Sequence, residues 1–356
     1  MRQDRLLGLD LLRGIAAFLV MLLHLDGLYE VPSYFQHADL MVDFFFMLSG
    51  FVMARSYEGR IGSEIGACSF TLLRFRRLWL PIAVGVFIGL TLRLAMGYPL
   101  RDLAVLALLA LLLLPNKILQ YDAYDLNPPE WSITSELIAN FLHALFLWRL
   151  SVKALAVVAM VSAFVLLRWP TVIPGNELLH FWMHNTARIL LAYSIGIMIW
   201  RIMGDAPRLP LLLGILGLPL AMLAAEFAWP DGNHGNVSIY VPFVILVLPS
   251  LLIAGLGVVK NEVLATISRI GGAISFPLYA THHPLIKVIE SAHWPKWSAM
   301  VIAVGFAALL TILLEKAQDR RGEQAMCESD NGQTQTPKSK GVISALRLLT
   351  SKQFSR

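Results

Sequence analysis

Apolar residues in this chain come in long unbroken runs rather than in alternating positions or narrow helical stripes. A helix that crosses a bilayer needs about 20 mostly apolar residues. Eleven runs approach that length, at roughly 6–28, 38–56, 75–96, 102–120, 131–149, 151–168, 184–203, 208–229, 238–258, 270–290 and 296–316. The connections are short and rich in Pro, Gly and Asn, as in Asn127-Pro128-Pro129 and Pro230-Asp231-Gly232-Asn233. No internal repeat or low-complexity linker interrupts them. The pattern predicts an all-α membrane protein, a polytopic helical bundle in one integral-membrane domain over 1–316. A short polar tail follows over 317–356.

Composition sharpens this reading. Of 356 residues, 57% are hydrophobic and only 15% are Asp, Glu, Lys or Arg, where a soluble domain carries roughly 25% charge. Thirteen of the 53 charges lie from Glu315 onward, leaving 40 for the first 314 residues. Such a chain is neither disordered, nor a nucleic-acid-binding domain, nor an ordinary soluble enzyme. The net charge of +5 reads as topology and attraction to anionic membrane lipid. Cys68 and Cys327 give neither a disulfide framework nor a CxxC metal pattern, and no metal or bound cofactor is expected. The first apolar run contains Asp10 and Arg13 and is too long for a signal peptide, so it is expected to stay as the first membrane helix.

The Lys/Arg bias sets orientation. Arg2 and Arg5 place the N-terminus in the cytoplasm; Arg55, Arg60, Arg74, Arg76 and Arg77 mark an inner loop. The tail, with Lys316, Arg320, Arg321, Lys338, Lys340, Arg347, Lys352 and Arg356, is also inside. Two cytoplasmic termini require an even number of crossings, so eleven segments cannot all span. All loop charges are satisfied if 75–96 and 102–120 together cross once. About ten transmembrane helices are therefore expected, with one extra re-entrant or interfacial apolar segment. Residues 342–354 can also form an amphipathic helix on the inner leaflet.

Ionisable residues inside apolar runs are costly and usually face an interior cavity. On the first helix, Arg13 and His24 lie eleven residues apart, within about 20° of one face and about 16 Å apart along the axis. Asp10 can pair with Arg13, and His24 can equally be interfacial. On the second, Asp43 stands ahead of Ser49-Gly50, a small pair suited to close helix packing; Asp43 is interfacial or pairs with an intramembrane cation. Arg74 and Arg77, in an RxxR spacing, share a helix side and serve either as a positive-inside anchor or as a bidentate phosphate site. Ser132 and Glu136, just after Trp131, share a face four residues apart. Tyr279 and His282 share a face in Ser275-Phe-Pro-Leu-Tyr-Ala-Thr-His-His-Pro284. Pro284 frees the Ala280 carbonyl and leaves an unpaired acceptor at a kink. His143 reads as structural.

Several of these stretches together resemble the membrane acyltransferase-3 family of integral-membrane O-acyltransferases. The opening Leu9-Asp10-Leu-Leu-Arg13-Gly14 with His24, the block Asp43 through Ser49-Gly50-Phe51, and Arg74-Phe-Arg-Arg77 followed by Leu-Trp-Leu-Pro are similar to its blocks in order. So are Trp131-Ser132 with Glu136, Ile274-Ser275-Phe276 through Tyr279, His282 and Pro284, and Leu314-Glu315-Lys316 with Arg320-Arg321. The chain departs from the pattern at Ala317, Ala280-Thr281, Pro277 and Ser135. Some members continue into a C-terminal esterase-like domain; about 40 residues follow the last expected span, too few for one.

The resemblance implies transfer of an acyl group from cytosolic acyl-CoA, acetyl-CoA being the commonest donor in the family, to a hydroxyl of a glycan or glycoside. It implies a multi-pass protein of the bacterial inner membrane with both termini cytoplasmic. His24 is then the leading general base, with Glu136 or Asp10 orienting a histidine or acting as base. Arg74 and Arg77 hold donor phosphates, and Arg13 stabilises the oxyanion or positions the thioester. His282 is a second base candidate or a covalent relay. Asp10, Asp43, Ser49, Trp131, Ser132 and Tyr279 complete the expected substrate-binding set. The competing class is a transporter or flippase for a polar or anionic substrate, which also carries mid-membrane charge but usually in repeats.

Overall fold

A computed structural model describes residues 5–168, 177–228 and 237–331. Within them the chain forms twelve α-helices and no named strand. They are α1 Leu7–Leu28, α2 Leu40–Tyr57, α3 Ala67–Ala95, α4 Leu100–Leu111, α5 Glu130–Leu145, α6 Val152–Arg168, α7 Glu177–Met203, α8 Leu211–Ala228, α9 Val237–Pro242, α10 Leu248–Ala254, α11 Glu262–Ser291 and α12 Lys296–Asn331. Each of the eleven apolar runs carries a helix, but 102–120 is helical only as far as Leu111. Segment 238–258 is divided: a π-type turn, Phe243–Val247, joins α9 to α10. Pro249, next in line, has no N–H to offer Ile245, so the ladder widens there. Two helices outrun their apolar cores. α3 begins two turns early and carries Arg74, Arg76 and Arg77 on the helix itself, and α12 runs on to Asn331 in the segment expected as tail. The amphipathic helix expected at 342–354 lies outside the described residues.

Among the described residues, seven helices are long and apolar enough to cross a membrane: α1, α2, α3, α7, α8, α11 and α12. The bundle is apolar outside as well as inside. Leu212, Leu216 and Leu220, one stripe of α8, are 50–61% exposed, while Asp43, Glu130, His143 and His282 are fully buried. That inversion suits a hydrocarbon solvent, which charges flee and leucines do not.

α4 is too short to span. Twelve residues rise about 18 Å, short of the roughly 30 Å hydrocarbon core. It starts beside the end of α3, after Gly97 turns the chain with a φ of +84°. It stops where Trp79 Nε1 donates to the Leu111 carbonyl, 3.1 Å away. The chain then comes back. Thr134 Oγ1 donates to Leu113 O, Asp125 pairs with Arg93 at 2.9 Å, and Leu126 O packs on Gly89. Tyr121, on the returning strand of chain, stacks on Tyr98 and donates to Asp102 at the start of α4. Residues 97–126 therefore enter and leave at the Arg93 end of α3. The side chain of Asn116 ties the return together by accepting from Ile118 and Leu119 and donating to the Leu119 and Tyr121 carbonyls.

Helix directions follow. Arg74 meets Glu136 while Gly89 meets Leu126, so α3 and α5 are antiparallel. α1 and α11 are parallel: Arg13 bonds Ser275, His24 meets His282 and Tyr29 bonds Trp294. α1 and α8 are parallel too, with Gly8 beside Leu211 and Gly214 beside Leu12. α2 and α7 approach backbone to backbone: a Cβ on Gly50 would stand 2.2 Å from Tyr193 O, and one on Gly196 1.9 Å from Met47 O. Gly50 thus fulfils its packing expectation.

Candidate active site

The parallel seam between α1 and α11 carries the most reactive groups. His24 Nδ1 lies 3.0 Å from the Val20 carbonyl and 3.1 Å from His282 Nε2. His282 Nδ1 lies 3.0 Å from Leu278 O and 2.9 Å from Tyr279 O. A nitrogen facing a carbonyl must carry the hydrogen, which assigns both tautomers from the surrounding acceptors. His282 is then protonated on Nδ1 and accepts at Nε2. His24 donates from Nδ1, to Val20 O and to His282, and its Nε2 keeps a lone pair with no hydrogen-bond partner among the described residues. His283 stands edge-on to His24, ring centroids 5.2 Å apart.

The kink that presents His282 is satisfied rather than open. Asn127 Nδ2 donates to the Ala280 carbonyl at 3.0 Å, replacing the N–H that Pro284 lacks. Gly85 of α3 lets that carbonyl approach, since a Cβ there would sit 2.3 Å from it. One turn earlier, Tyr279 OH and Ser132 Oγ are 2.5 Å apart, and Ser132 donates to Pro129 O, so the tyrosine is the donor between them.

A second cluster lies about 16 Å down α1. Arg13 Nε donates to Ser275 Oγ at 2.9 Å and Nη2 to Gly272 O, with Asp10 Oδ1 at 3.4 Å. Asp10 also takes Arg5 at 2.5 Å. Glu136 Oε1 accepts from Ser49 Oγ at 2.8 Å and from Arg74 Nη2 at 3.3 Å. Arg74 is 7% exposed, yet its Nε and Nη1 have no hydrogen-bond partner. Arg77 is exposed, makes no hydrogen bond, and lies within electrostatic reach of Arg74, Arg13 and Glu136. Four cations, Arg5, Arg13, Arg74 and Arg77, against two carboxylates, Asp10 and Glu136, with two guanidinium N–H groups of Arg74 left over, make an anion site. Ser132 and Glu136, one turn apart on α5, link this cluster to the histidines.

The sequence-chosen residues thus fall into two joined groups, with exceptions. Neither Glu136 nor Asp10 touches a histidine; the partner of His24 is His282. Asp43 sits in a buried network of its own, with Arg188 Nη2 at 2.6 Å and Tyr240 OH at 2.7 Å. Arg188 lies over the rings of Trp131 and Tyr240 at 5.3 and 5.5 Å. Asp43 therefore meets an intramembrane cation, the second of its two readings. His143 is buried, edge-on to Tyr193, with Nε2 3.5 Å from Glu58 Oε1. Sequence reasoning missed Arg188, Asn127 and His283. Arg188 met the criterion used elsewhere, an isolated charge inside an apolar run.

A family model described as an acyltransferase domain matches residues 6–316. Protein 2 in picA locus of Rhizobium radiobacter is 31% identical over 185 residues, covering 46% of this chain and 94% of that protein. No solved structure matches the chain.

Proposed function

The chain belongs to the acyltransferase family whose domain spans residues 6–316, and on that premise we propose that it moves an acyl group, typically acetyl, from cytosolic acyl-CoA to a hydroxyl of a glycan. Family membership makes it an enzyme and sets aside the transport alternative. The observation that carries the finer reading is the open Nε2 of His24, held in place from behind by Val20 O and His282.

The acceptor hydroxyl gives its proton to His24 Nε2 as its oxygen forms a bond to the thioester carbonyl carbon. His24 becomes an imidazolium whose Nδ1–H remains bonded to His282 Nε2. The tetrahedral oxyanion collapses, the carbon–sulfur bond breaks, and the leaving thiolate takes the proton back from Nε2. Arg74 and Arg77 hold the donor phosphates, and the pantetheine arm runs along the seam toward His24. Arg13, fixed by Asp10 and Ser275, stands on that route to position the thioester or meet the oxyanion. No covalent relay is needed, because the base and the phosphate site are joined along one seam. Asp43, Ser49, Trp131, Ser132 and Tyr279 act mainly by positioning.

In this reading the protein is a multi-pass protein of the bacterial inner membrane with both termini cytoplasmic. Ten crossings result when α5, α6 and the α9–α10 pair cross beside the seven long helices and α4 does not. The helix directions support that count: α1, α8 and α11 become crossings one, seven and nine, all pointing the same way. The test is incubation of membranes containing the full chain with labelled acetyl-CoA. Label enters the saccharide fraction with the wild type and not with His24→Ala; a wild type that labels no glycan overturns the proposal.

A further inference from the structure

An apolar cleft of about 430 Å³ runs down the outer face of the α1, α8 and α11 assembly. Leu11, Gly14, Phe18 and Leu22 of α1, Pro219 of α8 and Ile267 of α11 line it. From Leu11 to Leu22 it follows α1 for about 16 Å. Its floor exists because the two helices touch at glycine: a Cβ on Gly14 would lie 3.0 Å from the Gly271 backbone. Phe35, from the segment after α1, lines its far end.

The end nearest Leu11 is electrically distinctive. α1, α8 and α11 are parallel, so three helix N-termini gather there with their positive dipole ends together. Arg5, Arg208, Lys260 and Arg269, all exposed, stand beside those same termini. Arg5 reaches the Arg269 carbonyl, Gly257 packs against Leu209 and Leu211, and Gly8 lies against Gly255 and Leu211, so the chain segments that carry the four cations gather at this one end and can form a collar. Among the described residues nearby in sequence, Asp10 engages Arg5, Asp205 engages Arg55, and Glu262 opens α11. A long apolar slot ending in a cationic collar has the polarity of an anionic lipid, tail in the slot and phosphate at the collar.

We infer that this cleft holds one acyl chain of an anionic glycerophospholipid whose headgroup phosphate is bound by the collar of Arg5, Arg208, Lys260 and Arg269. The headgroup site differs from the donor phosphate site in its cations, since Arg74 and Arg77 are on α3, and the two meet only through Asp10, which Arg5 and Arg13 share. It lies directly behind the Gly272 carbonyl that Arg13 uses, so a seated chain would buttress the seam that carries Arg13 and His24.

The test is native mass spectrometry of the full-length protein purified in detergent and exchanged with equimolar phosphatidylglycerol and phosphatidylcholine. One phosphatidylglycerol is retained in preference to phosphatidylcholine. Lys260→Gln with Arg269→Gln weakens that preference by about fivefold per charge removed. Ile267→Trp, which fills the cleft from an exposed position and leaves every collar charge in place, removes the retained lipid. Equal retention of the two lipids by the wild type overturns the inference. So does undiminished phosphatidylglycerol in Ile267→Trp, which would mean a headgroup site without a chain in the cleft.

Discussion

His282 Nε2 lies 3.1 Å from His24 Nδ1, and each Nδ1 faces a backbone carbonyl of its own helix. The pair therefore has one direction: His24 donates, His282 accepts, and only His24 Nε2 is open. General-base removal typically costs about 10²–10⁴-fold in rate, so His24→Ala is expected to lose activity on that scale while inserting and folding normally. His282 acts through His24, and its variants should fall between. His282→Gln, whose amide oxygen can still accept from His24 Nδ1, should retain more kcat than His282→Leu. Equal loss in Gln and Leu variants of matched stability would remove His282 from this role.

Arg74 offers two unpartnered N–H groups from a buried side chain. A hydrogen bond to a charged group contributes about 1.5–3 kcal/mol, so Arg74→Ala should raise the KM for acyl-CoA about tenfold or more. Lysine cannot reproduce a planar fork, and Arg74→Lys should recover little. The KM for the acceptor should stay near wild type in both. An unchanged donor KM in Arg74→Ala/Arg77→Ala would sink the phosphate assignment.

Asn127 spends its amide on the carbonyl that Pro284 orphans. Asn127→Ala leaves that buried acceptor bare, at a cost of about 1–3 kcal/mol, and thermal melting in detergent should show the loss. Pro284→Ala restores the helical N–H, so in the Asn127→Ala background it should recover stability, whereas alone it should not help. Additive effects in this cycle would show that the two residues do not share the carbonyl.

How much of this was legible in the sequence depended on range. Apolar runs give helices because burial in hydrocarbon demands internal backbone bonding, and each of the eleven runs carries a helix, although 102–120 is helical only as far as Leu111. Loop charge alone pointed to 75–96 and 102–120 as a pair expected to cross once, without saying which falls short; α4, with 12 residues, is the short one. Spacing placed Arg13 and His24 on one face correctly. It was blind to partners on other helices: the contact of His24 with His282 joins residues 258 apart in sequence, and Asn127 looked like a loop residue until α11 supplied its carbonyl. Arg188 differs, because its charge stood in plain view within an apolar run.

Arg188 and Asp43 pair at 2.6 Å inside the bundle; removing Arg188 strands Asp43, and removing Asp43 leaves Arg188 only the longer contact to Asp39 at 3.6 Å. Each single variant, Asp43→Leu or Arg188→Leu, should cost about 3–5 kcal/mol, seen as loss of folded protein in size-exclusion profiles. The double variant removes both charges and should fold better than either single one. Tyr240→Phe, which loses one donor to Asp43, should cost far less. A double variant as damaged as the worse single one would mean the pair has a role beyond mutual neutralisation.

The turn-back of α4 fixes the direction of every later helix, so it can be tested from outside the bundle. Met96 is 55% exposed at the end of α3, and Asp122 is exposed on the returning segment. In a background of Cys68→Ser and Cys327→Ser, Met96→Cys and Asp122→Cys should both react with an impermeant maleimide from one side of intact cells. Arg60→Cys, before α3, should react only after the membrane is opened. If α4 crossed, positions 96 and 122 would label from opposite sides. α5 would then run parallel to α3, and Leu126, which leads into it, would stand at the Arg74 end of α3, which its close packing on Gly89 forbids.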